Sequence, residues 1–115
     1  MARTFDEAEL MDRVDGDMEF LTETVEMLAS DGQPLIDEIR AGIAAGDAPA
    51  VARHAHALKG MISNFCAAEA QASALAVEMI GKSGDLSGAG PALETLETGL
   101  RALSDELHAF IKADV

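Results

Sequence analysis

Apolar residues recur along most of the chain at alternating spacings of three and four, the period of an amphipathic helix. Between 17 and 30, Met18, Leu21, Val25 and Leu28 are spaced 3, 4 and 3, and Ile36, Ile39 and Ile43 follow at 3 and 4. Asp31-Gly32-Gln33-Pro34 lies between these runs and is expected to break or kink the rod, with Pro34 suited to a first helical turn. Gly46 can end that helix, and Asp47 can cap the next, with Pro49 in its first turn. From there Val51, Ala55, Leu58, Ile62 and Phe65 run 4, 3, 4 and 3. A further helical segment, about 68–82, carries Ala72, Leu75, Met79 and Ile80 as its apolar positions. KSGDLSGAG (82–90), with three glycines, is the clearest loop. Pro91 then opens a last helix in which Leu93, Leu96, Leu100, Leu103, Leu107 and Phe110 run 3, 4, 3, 4 and 3.

Residues 5–13 (FDEAELMDR) predict a short leading helix. The four longer rods fall at about 17–45 (kinked), 48–66, 68–82 and 91–113. Single apolar stripes and short connections predict an all-α fold, an antiparallel four-helix bundle with a short extra N-terminal helix. Residues 1–115 form one domain, and the stripes supply its core without any cofactor.

Charge narrows the function classes. The net charge is −13, from 21 acids against 8 bases, which argues against nucleic acid and anionic membrane surfaces as partners. The lone Cys66 can form neither an internal disulfide nor a cysteine-based zinc site. MARTFDEAEL has no apolar signal core, and no apolar run approaches the length of a membrane span. The expectation is a cytoplasmic protein.

The candidate chemistry sits in HAHALKGMISNFCA (54–67). At 100° per residue from Val51, the apolar stripe centres near 0°, His54 falls at about 300° on its flank, and His56 at about 140° toward solvent. His54 reads as a histidine at the core edge. His56 reads either as an ordinary surface histidine or as a functional one. Ala52, Gly60 and Ser63 lie on the same side of the helix and are all small. An interior helical glycine costs about 1 kcal/mol relative to alanine, a cost more readily accepted where something must approach closely. Lys59 is one turn beyond His56. Neutral imidazole is a nucleophile near pH 7, and an ammonium can neutralise phosphoryl oxygens.

Ala55-His56-Ala57-Leu58-Lys59-Gly60 resembles the A-H-x-L-K-G signature of histidine-containing phosphotransfer (HPt) domains. The likeness extends over most of the chain: Gly16-Asp17 and Gly46-Asp47 each open a helix, Val77-Glu78 stands where the family often has Leu-Glu or Gln, and the glycine loop and final helix follow in order. The resemblance implies that His56 is phosphorylated on Nε2 and that Lys59 helps neutralise the phosphoryl group. It implies that Glu78 bonds the other ring nitrogen, fixing the tautomer. It also implies that Gly60 gives a receiver domain room to approach, and Ala52 and Ser63, small and on the same side, are expected to complete the docking shelf. Two positions depart from the family pattern. Met61 stands where a small residue is usual, though at about 280° it points away from His56, and Cys66 stands where glycine is frequent.

On this reading the chain takes a phosphoryl group from a receiver aspartyl phosphate, or from a hybrid histidine kinase, and passes it to a receiver aspartate. It carries no G-x-x-x-x-G-K-[ST] loop and no kinase motifs, so it is expected to be a carrier rather than an enzyme that binds ATP. It needs no cofactor or metal of its own, because the receiver brings Mg²⁺. The alternative is a non-catalytic helical adaptor that docks a receiver or kinase without carrying phosphate. A metal-binding bundle is disfavoured because His54 and His56, two apart on a helix, point about 200° from one another.

Overall fold

The structure is a computed structural model that describes residues 4–113. It contains helices α1 (Glu7–Arg13), α2 (Met18–Ala45), α3 (Ala48–Ile62), α4 (Ala68–Ser83) and α5 (Ala89–Ala113), and a 3₁₀ turn at Ser63–Phe65. No strand occurs among the described residues. The four longer helices form a ring in which α2 packs on α3, α3 on α4, α4 on α5 and α5 on α2. This is the expected four-helix bundle with a short leading helix.

Short aspartates start three of the helices. Asp6, Asp17 and Asp47 each accept a hydrogen bond from the backbone N–H three residues on, at 3.0, 3.0 and 3.1 Å. Each such cap contributes about 1 kcal/mol by satisfying an otherwise unpaired donor. Gly46 ends α2 in the left-handed conformation, φ 67°, which lets the chain reverse within two residues into α3.

The rod expected over 17–45 is a single helix: of the break or kink expected at 31–34 the break does not form, and α2 runs unbroken for 28 residues with Pro34 inside it rather than in a first turn. A mid-helix proline costs about 3 kcal/mol, so the packing on both sides of it must offset that. Leu28, Gly32, Ile36 and Ile39 make one continuous buried stripe across the proline. A Cβ on Gly32 would lie 3.2 Å from Leu100 on α5. On the same seam Gln33 and Arg40 both donate to Glu97, at 3.0 and 2.9 Å. Pro34 itself is exposed.

The α4 stripe also differs from the sequence reading. Leu75 and Met79 are 44% and 54% exposed, while the buried positions are Ala70, Ala74, Val77, Glu78 and Gly81. The cause is close approach of two backbones. A Cβ on Gly81 would stand 2.5 Å from the Ala52 nitrogen and 3.0 Å from the Ala48 carbonyl oxygen of α3. At that point of the seam no side chain fits, and the larger apolar side chains Leu75 and Met79 turn outward.

Three helix boundaries shift by a few residues, the first being α1, which begins at Glu7 after its Asp6 cap rather than at residue 5. α3 stops at Ile62 and tightens into the 3₁₀ turn, which buries Phe65 before Cys66 takes a left-handed conformation, φ 55°. α5 begins at Ala89, ahead of Pro91. Its leucines 93, 96, 100, 103 and 107 are all buried, as the spacing predicts. Among the described residues, no helix is long and apolar enough to cross a membrane.

Candidate functional site

The close α3–α4 seam fixes the site. Glu78 lies one turn before Gly81 on α4, so the seam that buries Gly81 also carries Glu78 against α3. Glu78 is 1% exposed, yet His56 beside it is 69% exposed in its side chain. His56 Nδ1 is 2.9 Å from Glu78 Oε2. Lys59 Nζ is 2.7 Å from Oε1, and Lys82 Nζ is 3.2 Å from Oε2.

A buried carboxylate would ordinarily be harder to ionise. Here the Lys59 ammonium, and then the bonds from His56 and Lys82, outweigh that burial and hold the Glu78 carboxyl down at about 2. At neutral pH Glu78 is therefore a carboxylate and can only accept. Its partner Nδ1 must carry the hydrogen, so in the neutral ring the lone pair resides on Nε2, across the imidazole from Glu78.

Of the other expected residues, Lys59 joins the cluster, with its ammonium already paired to Glu78 and its side chain 25% exposed. Gly60 is exposed one turn past His56, and a Cβ there would meet nothing within 4 Å. Ala52 is half-buried with its backbone in the Gly81 seam. Ser63 opens the 3₁₀ turn, half-buried, and its hydroxyl donates to the Gly60 carbonyl at 2.6 Å. Met61 packs partly into the core, away from His56. His54 faces α2, with Nε2 3.7 Å from Glu38, so the two neighbouring histidines serve opposite flanks of α3.

Sequence reasoning missed Lys82. Its signal was the i, i+4 spacing from Glu78, which places a cation one turn on along the same helix face. It also missed Phe20, 54% exposed at the rim of a cleft of about 310 Å³ that Arg13, Thr24 and Asn64 help to line. Asn64 follows Gly60 by one turn, so the cleft continues the exposed face that begins at His56.

An Hpt domain family model matches residues 23–108, a span containing His56, Lys59, Glu78 and Lys82. The chain belongs to the Hpt domain family. Its fold agrees with the crystal structure of histidine-containing phosphotransfer protein B from Pseudomonas aeruginosa PAO1, with TM-score 0.89 and 20% identity over 98% of each chain. No curated protein matches the sequence. Hpt domains are phosphocarriers of two-component phosphorelays rather than kinases, and their general partners are receiver domains and histidine kinases.

Proposed function

We propose that this Hpt domain carries a phosphoryl group on His56 Nε2, taking it from a receiver aspartyl phosphate or a kinase and passing it to a receiver aspartate. The observation that carries the reading is the exposed imidazole whose Nδ1–H is held by a buried, ionised Glu78. In the accepting step the Nε2 lone pair attacks phosphorus, and the P–N bond forms. The acyl phosphate P–O bond breaks, and its electron pair leaves with the donor carboxylate. The Nδ1 hydrogen remains bonded to Glu78, which stabilises the positive charge the ring acquires. In the return step an oxygen of the receiver aspartate attacks phosphorus and a new P–O bond forms, while the P–N bond breaks, its electron pair returns to Nε2 and the ring leaves neutral.

Lys59 neutralises phosphoryl oxygens from one turn away, exchanging part of its contact with Glu78 for them. The Mg²⁺ belongs to the receiver, and this chain supplies a positioned nucleophile and a surface. The receiver docks over Gly60, flanked by Ala52 and Ser63, and reaches toward Phe20 at the cleft. The cytoplasm, where receivers and kinase domains meet, is the expected setting.

The test is transfer of labelled phosphate from a phosphorylated receiver with Mg²⁺ to the wild type and to His56→Gln. The expected label is acid-labile, stable in base and absent from His56→Gln. Label that persists in His56→Gln refutes the assignment. Unlabelled wild type that still binds receivers points to the adaptor.

A further inference from the structure

Besides His56, two ammonium groups hold Glu78, one at each oxygen, and only one of them is the signature lysine. Lys59 takes Oε1 at 2.7 Å. Lys82 takes Oε2 at 3.2 Å, the same oxygen that accepts from His56 Nδ1 at 2.9 Å. We propose that Lys82 is a positioning residue for His56: together with Lys59 it fixes the plane of the Glu78 carboxylate so that Oε2 stays on Nδ1.

The need for such a holder follows from the side chain itself. The last torsion of glutamate joins a tetrahedral carbon to a flat carboxylate and has broad, shallow wells, so the rotamer alone does not set the plane. One ammonium on Oε1 leaves the group free to pivot about that contact. A second on Oε2 removes the pivot. Glu78 is buried, so water does not replace a lost partner cheaply. Lys82 comes from the helix that carries Glu78, whereas Lys59 comes from the helix that carries His56. The carboxylate is therefore tied to both sides of the seam. Of the other groups near this face, Arg53 is exposed one turn before His56, and Glu38 is engaged with His54 on the far flank.

This inference rests on the phosphocarrier reading for its purpose but not for its test. The ring nitrogens of His56 are observed by ¹⁵N NMR at neutral pH in the full chain, for wild type, Lys82→Met and Lys82→Arg. Lys82 is 59% exposed, so the substitutions leave the fold intact, and a thermal melt checks it. Wild type and Lys82→Arg are expected to show one tautomer, with hydrogen on Nδ1. Lys82→Met is expected to show a mixture of both. Phosphoryl acceptance from a labelled receiver should slow about three- to tenfold in Lys82→Met, the rate equivalent of one ordinary hydrogen bond, and recover in Lys82→Arg. Ring spectra identical in wild type and Lys82→Met overturn the proposal, leaving Lys82 a surface ion pair. Wild type that accepts no phosphoryl group would overturn the carrier reading instead, while the spectra still judge Lys82.

Discussion

Gly81→Ala is the sharpest probe of how fold and site are joined. A Cβ at that position meets backbone, 2.5 Å from the Ala52 nitrogen and 2.9 Å from its Cα. Backbone cannot rotate aside as a side chain can. Restoring an ordinary contact of about 3.5 Å requires the two helices to part by about 1 Å. The same movement would stretch the 2.9 Å bond between His56 and Glu78 to about 3.9 Å, beyond hydrogen-bond range. Alanine returns about 1 kcal/mol of helix propensity, but overpacking of this kind costs about 1–3 kcal/mol, at the upper end where backbone is struck. The expected net loss is about 1–2 kcal/mol, a drop in Tm of about 4–8 °C for a chain this long. Gly60→Ala is the control: the same exchange in a helix interior, into open space, should gain up to about 1 kcal/mol. Thermal melts read the stability, and the His56 ring nitrogens read the seam. If Gly81→Ala proves as stable as Gly60→Ala and keeps its ring bond, the two backbones are not limited by contact at Gly81.

Two further outcomes follow from burial and charge. Glu78 is held at about 2 in the folded chain against about 4.5 in an unfolded one. A depressed carboxyl stabilises the fold above its unfolded value and loses that contribution as pH falls toward its folded one. The contribution is about 3 kcal/mol, fully present above about pH 5 and fading between about pH 4.5 and 2. Urea midpoints of wild type and Glu78→Gln should therefore differ at pH 7 and converge at acid pH; a constant difference would contradict this. Leu103→Ala, at a fully buried position, should cost about 2–5 kcal/mol, whereas Leu75→Gln on the outer face of α4 should change stability by less than about 0.5 kcal/mol. Comparable losses in both would mean that the outer face of α4 is covered.

The stretches of chain that were legible in the sequence are those where large side chains do the burying. The leucines of α5 repeat at helical spacing and are buried at each of the positions the period picks out. On α4 the rule inverts, because the close approach at Gly81 brings small residues and Glu78 to the buried face, and hydrophobicity then marks the wrong face. Pro34 misled for a related reason. Its local cost is real, but the Gly32–Leu100 contact and the bonds to Glu97 lie some sixty residues away in sequence, where no local pattern records them. The site divides in the same way. His56 was placed by its angle on the wheel, which depends on α3 alone. That Glu78 reaches it depends on the α3–α4 distance, which the family resemblance supplied and the helical period did not. Lys82 required knowing first that Glu78 was the hub.

The ends of the described chain meet at one end of the bundle: the Thr4 N–H donates to Glu106 at 2.9 Å, the Phe5 and Phe110 rings pack at 5.6 Å, and Asp6 N–H donates to the Cys66 carbonyl at 3.0 Å. Cys66 closes the turn that follows α3, so His56 stands only about 15 Å along the helix from that end. A partner domain tethered through either terminus starts within that reach. A flexible linker of ordinary length would then present it at millimolar effective concentration. Encounter would become intramolecular, and transfer fast even where the two surfaces bind weakly.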